Sequence, residues 1–191
     1  MKKTKFGVIL NIKISDMKED VIMNDKKALK LVMSAMFASL VCVATMIIKI
    51  QTVTNGYINI GDCFVLLSGW LLGGVYGAFA AGIGSFLADI LAGYPVYAVA
   101  TFIIKGVMAL IAYWIFHRNK SFSKALVSAT LAELFMAVSY LIFDYFVMGY
   151  GNAAIVSFPA NIVQGIVGAV LGLLLLNLMR NNKTLKDYFK I

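Results

Sequence analysis

Asp89, Lys105, Glu133, Asn161 and Gln164 stand inside long apolar runs, where charges and amides cost free energy unless they are paired or used. Each is therefore a candidate for ligand binding, proton transfer or a structural contact. Asp89 continues a row of small residues four apart, Gly77, Ala81 and Ser85, which places it on a helix face turned toward other helices. Lys105 comes within reach in the following helix, and an Asp89–Lys105 ion pair bracing the two helices is the structural reading of both. Asn161 heads the Gly165–Ala169 row and Gln164 the Gly168–Gly172 row, so one helix presents two amides at close range. Hydrogen bonding between helices without a ligand is the alternative use of those amides. The two other acids within or beside the apolar runs have simpler readings. Asp62 opens a helix, where a carboxylate favours the positive N-terminal end, and Asp144 lies near a helix end among Tyr140, Phe143, Tyr145 and Phe146, where it is solvated.

The elements that must position these groups follow from composition. The 191 residues are 61% hydrophobic and 14% charged, with a mean hydropathy of +0.88, whereas a soluble domain is about a quarter charged. The pattern predicts an all-α, polytopic membrane protein with six membrane-spanning helices. These run from 28 to 50, 57 to 73, 74 to 92, 96 to 116, 122 to 148 and 153 to 179, with Gly73-Gly74, Gly93-Tyr94-Pro95 and Gly149-Tyr150-Gly151 as breaks. Residues 1–27 read as a polar cytoplasmic leader, 28–180 as the membrane domain and 181–191 as a cytoplasmic tail. Of the 17 Lys and Arg, all but Lys49 and Lys105 lie before or at the start of the first helix, between the fourth and fifth, or after the sixth. These places share one side of an even-numbered bundle, so the positive-inside rule puts both termini in the cytoplasm and the Asn55, Tyr94 and Tyr150 loops outside. The net charge of +8 thus reports orientation in a lipid bilayer and not a nucleic-acid partner.

Depth narrows the site. At about 1.5 Å per residue, Lys105 and Asn161 lie roughly 12 Å below the outer face, Gln164 roughly 16 Å below it, and Glu133 near the midplane. One polar zone opening outward is the expectation. In the first helix Ala35 with Ser39, and Ser34 with Ala38, are small residues four apart that suit either internal packing or docking of another membrane protein. Trp70 and Trp114 read as members of an interfacial aromatic belt.

What is missing excludes other classes. Gly-x-x-x-x-Gly-Lys-Ser/Thr does not occur, so the chain cannot energise transport with ATP by itself, and the absence of His-Glu-x-x-His and Gly-x-Ser-x-Gly argues against an enzyme. Two Cys and one His give neither a disulfide framework nor a metal set, and no cofactor is expected.

The strings Asn59-Ile60-Gly61-Asp62, Gly73-Gly74-Val75-Tyr76-Gly77, Gly82-Ile83-Gly84-Ser85-Phe86-Leu87-Ala88-Asp89, Gly93-Tyr94 and Thr101-Phe102-Ile103-Ile104-Lys105-Gly106 carry a resemblance. The chain resembles the substrate-binding S components of energy-coupling factor (ECF) vitamin transporters, in the branch that includes predicted pyridoxine and hydroxymethylpyrimidine carriers. The likeness covers about 28 to 180 and is densest from 57 to 110; Gly74 stands where the family usually has Pro. The resemblance implies a six-helix bundle in the bacterial cell membrane that captures a vitamin-like molecule from outside. It also implies docking on a transmembrane coupling protein driven by two cytoplasmic ATP-binding subunits. It assigns Ala35 and Ser39 to that docking, and Tyr57, Tyr94, Lys105, Glu133, Asn161 and Gln164 to the substrate. The competing reading is a stand-alone secondary transporter or facilitator for a small polar heterocycle, with Asp89, Lys105 or Glu133 relaying protons.

Overall fold

A computed structural model describes residues 25, 27–51 and 57–191. The leader, apart from residues 25 and 27, and the Asn55 loop lie outside the described residues. The chain forms two compact units, 1–33 and 34–191. The described part of the first is residue 25 and the opening turns of helix α1, nearly all exposed.

Helix α1 spans Lys27–Ile47. A two-residue hairpin follows, β1 (Ile50–Gln51) against β2 (Tyr57–Ile58), antiparallel with Ile50 opposite Ile58. Then come α2 (Asp62–Leu72), α3 (Gly74–Ala92), α4 (Pro95–Phe116), α5 (Phe122–Ile142), a π-helical turn (Phe143–Val147), α6 (Asn152–Asn181) and a short α7 (Lys183–Phe189). Five of these helices, α1 and α3 to α6, are long and apolar enough to cross a membrane. α2 is apolar but has 11 residues, about 16 Å at the α-helical rise, and does not cross a hydrocarbon core of about 30 Å unaided. The helix expected from residue 57 thus starts five residues later, because Tyr57 and Ile58 pair with β1 instead.

Local chemistry explains the breaks. Gly73 sits at φ +91 between α2 and α3, a region open to glycine, which turns the chain between two helices without a loop. Pro95 occupies the first turn of α4, where its missing N–H leaves no intrahelical bond unmade. Ser121 caps α5 by accepting from the Lys124 N–H at 3.3 Å. The fifth span ends in the π turn, closed by Met148 N–H donating to Phe143 O at 3.0 Å.

Small residues set the packing. Ser34 is buried and Ala38 half-buried, and a Cβ on Gly84 of α3 would lie 2.4 Å from Ala38 O, so this row of α1 is used inside the bundle. Ala35 and Ser39 are exposed, and the Ser39 hydroxyl bonds back to Ala35 O at 3.0 Å. The Gly77, Ala81, Ser85, Asp89 row of α3 is buried throughout, as its spacing predicts. The exposed large side chains, Val75, Leu91, Val99, Phe146 and Leu178 among them, form the outward apolar faces that a lipid-embedded bundle requires. Trp114 is 64% exposed and suits an interfacial belt, but Trp70 does not: it is buried, and its Nε1–H donates to Ser128 Oγ at 2.9 Å. In the last turn of α6 Arg180 donates to Lys120 O, and Lys120 Nζ donates to Lys190 O, tying the α4–α5 turn to the tail, whose α7 is exposed.

Candidate functional site

Asp62 is the centre of the polar interior. As the first residue of α2 it is fully buried, and its carboxylate accepts from Lys105 Nζ through Oδ1 and from Gln164 Nε2 at 2.7 Å through Oδ2. Gln164 completes its own hydrogen bonding with Oε1, which accepts from the Asn59 N–H at 3.0 Å, and Asn59 Oδ1 accepts from the Gly61 N–H at 2.8 Å. Two backbone donors of the non-helical stretch ahead of α2, those of Asn59 and Gly61, are thus satisfied by side chains, which suits irregular backbone beside a buried site.

Two expectations are corrected here. The cation of Lys105 pairs with Asp62 and not with Asp89, because Asp62, set at the start of α2, brings its carboxylate directly to Nζ. Asp62 itself is no mere helix-end charge, since α2 has no side-chain cap and the carboxylate is spent on α4 and α6.

Asp89 belongs to the next layer. Its Oδ1 accepts from the Tyr57 hydroxyl at 2.5 Å, and Tyr57 in turn lies 4.8 Å, centroid to centroid, from Tyr94. Tyr94 accepts from Gln51 Nε2 at 3.2 Å, so hairpin, α3 and the start of α4 close over one another. Asp144 is buried, contrary to the solvated reading: the π turn holds it where the Tyr97 hydroxyl donates to it at 2.8 Å. Tyr140 donates to Thr101 Oγ1 at 3.0 Å, and Lys105 Nζ lies 5.6 Å from the Tyr140 ring centroid.

Among these groups lies one cavity, part of it open to solvent. Tyr57, Lys105, Asn161 and Gln164, all expected at a site, line it; so do Asn59, Asp89, Tyr97, Thr101, Tyr140 and Asp144. Tyr94 does not line the wall and reaches the site through Tyr57. Glu133 is not on the wall either. It is buried between α5 and α6, where a Cβ on Gly168 would lie 2.8 Å from its Oε1 and 2.7 Å from Asp62 Cβ, and neither carboxylate oxygen has a hydrogen-bond partner. Among the described residues no three His, Cys, Asp or Glu are grouped to hold a metal.

Asp144 had a signal in the sequence: Glu133, Ala137, Tyr140 and Asp144 recur at four, seven and eleven residues, one face of a helix. Asp62 had a weaker one. An extended lead-in advances more than twice as far per residue as a helix, which helps Asp62 reach Gln164.

An α-helical membrane bundle around a buried, mixed-charge cavity is the architecture of a protein that binds a small polar molecule within the bilayer. Residues 25–181 match the model of the family described as "ECF-type riboflavin transporter, S component", and the chain belongs to that family. It is thus the S component, the substrate-binding subunit, of an ECF transporter and a multi-pass membrane protein. It is also similar to a protein of Pyrococcus woesei described as "Uncharacterized protein in gap 3'region", 35% identical over 133 residues, 69% of this chain and 88% of the relative. The match supports the family read from the motifs and does not extend to a pyridoxine or hydroxymethylpyrimidine branch.

Proposed function

We propose that the chain captures a small vitamin or vitamin precursor, pyridoxine- or hydroxymethylpyrimidine-like, from outside the cell for an ATP-driven importer. Delivery requires a transmembrane coupling protein and two cytoplasmic ATP-binding subunits. The cavity carries this reading. Tyrosine rings offer apolar faces to a flat heteroaromatic ring, while carboxylates and Asn161 fix its polar edge and Gln164 holds the wall behind them, the usual division of labour in small-molecule sites. Riboflavin, which the family description names, is the competing substrate in the same class. A thermal-shift panel of pyridoxine, hydroxymethylpyrimidine, thiamine and riboflavin on the purified chain tests the choice. A true ligand at a hundred times its Kd stabilises by about 2.7 kcal/mol, and stabilisation by riboflavin alone would reverse the assignment.

Orientation follows the cation distribution, with both termini in the cytoplasm, residues 1–27 as leader and 181–191 as tail around the membrane domain. The sixth crossing is composite. The lead-in from Tyr57 to Gly61 adds at most about 16 Å to the similar length of α2, which together match a hydrocarbon core of about 30 Å. Exposed Ala35 and Ser39 offer a smooth strip of α1 for the coupling protein.

One observation favours the second reading, a stand-alone secondary transporter. Glu133 is buried with both oxygens unpartnered, as a membrane proton carrier would be. A requirement for the coupling and ATPase subunits in uptake separates the two.

A further inference from the structure

We propose that Asp89, with Ser85 one turn before it on α3, anchors a hydrogen-bond donor of the substrate, so that the preferred class is a heterocycle bearing an amino group or a protonated ring nitrogen. The inference rests on the cavity being the substrate site.

Asp89 is 3% exposed and lines the cavity. Its Oδ1 is occupied by the Tyr57 hydroxyl, but Oδ2 has no hydrogen-bond partner, although the Thr101 hydroxyl lies beside the carboxylate. Ser85 Oγ, buried on the same helix face and also lining the cavity, has none either. A buried polar atom left unmade carries its full desolvation cost; Oδ2, an acceptor only, asks for a donor, and the Ser85 hydroxyl on the same wall can accept from or donate to the same group. The nearest cation cannot answer. Lys105 is held by Asp62. A carboxylate accepts and never donates when ionised, so the group it selects must bring its own hydrogen, and positive charge on that group strengthens the bond. A ligand that turns an anionic group or a bare carbonyl oxygen to Asp89 itself is excluded by the same rule. Tyr57 on the other oxygen makes the hairpin part of the arrangement, since its hydroxyl rests on the atom next to the one the ligand takes.

The test is calorimetric titration of the purified full chain with 4-amino-5-hydroxymethyl-2-methylpyrimidine, with the same compound lacking its amino group, and with riboflavin. The parent protein should prefer the amino compound by on the order of 10- to 100-fold, the range of a hydrogen bond to a charged group. Asp89→Asn should abolish the preference while binding the deamino compound within a few fold, because Asn still accepts from Tyr57 but has lost the charge. Ser85→Ala should shrink the preference and serves as the second variant if Asp89→Asn does not fold. Equal binding of the two pyrimidines by the parent, or an unchanged preference in Asp89→Asn, overturns the proposal. Binding of riboflavin alone overturns it while leaving the cavity as the substrate site. Binding of none of the three removes the substrate reading of the cavity and this inference together.

Discussion

Gln164 Nε2 donates to Asp62 Oδ2 at 2.7 Å, while the other end of the same amide accepts from the Asn59 backbone. Both polar atoms of this side chain are thus already used in holding α6 to the start of α2. Asn161, one turn earlier on the same cavity wall, makes no such pair of contacts and is half-exposed to the cavity. The two amides that look equivalent in the sequence divide their roles: Gln164 braces, Asn161 is available.

Gln164→Ala should therefore lower the stability of the ligand-free protein by about 1–3 kcal/mol, since it strands the Asn59 N–H and one oxygen of Asp62. Asn161→Ala should leave stability nearly unchanged and weaken substrate binding by about five- to 150-fold. Thermal unfolding without ligand, followed by titration, separates them; the reverse pattern would exchange the roles.

Lys105→Met removes the cation from a buried pair and should destabilise the protein by about 3–5 kcal/mol. Asp62→Asn placed on that background should restore much of the loss, because the uncompensated charge is then gone. A double-mutant cycle on unfolding reads the coupling, and additive losses would mean that the two groups do not interact.

Gly168 is a tight contact. A Cβ there meets Asp62 Cβ and Glu133 Oε1 below 3.0 Å, whereas at Gly172 the nearest atom is 3.4 Å away. Gly168→Ala should cost about 1–3 kcal/mol by overpacking, and Gly172→Ala should be tolerated. Equal melting temperatures for the two variants would show that α6 does not lie this close to Glu133.

These contrasts show what could be read beforehand. The α3 row ending in Asp89 was legible because every member obeys one helical period, and Asn161 with Gln164 was legible because amides stand out in an apolar helix. The partner of Lys105 was not. It depends on where α2 begins, and Tyr57 and Ile58 have apolar neighbours that suit a helix as well as the hairpin they form. Asp144 was missed because aromatic neighbours suggest a wet helix end, while the π turn and Tyr97 bury it. Whether Ala35 or Ser34 faced outward also needed tertiary contacts, since both rows have the same spacing and only Ala38 meets Gly84.

Ala35→Leu with Ser39→Leu should abolish coupled uptake yet change substrate affinity only a few fold, because both residues are exposed and neither lines the cavity. An equal loss of binding would place this strip inside the bundle.

Cysteine labelling checks orientation. On a background with Cys42 and Cys63 replaced by Ala, Asn152→Cys at the exposed start of α6 should react with an impermeant reagent from outside, and Lys183→Cys only after permeabilisation. The opposite accessibility would invert the protein in the membrane.

Uptake of labelled hydroxymethylpyrimidine and pyridoxine into proteoliposomes tests the account as a whole. Vesicles holding this chain with its coupling protein, both ATPase subunits and internal ATP should accumulate one of the two, and vesicles holding the chain alone should not, with or without an imposed proton gradient. Accumulation by the chain alone under a proton gradient, lost in Glu133→Gln, would contradict the account and make the protein an independent secondary transporter.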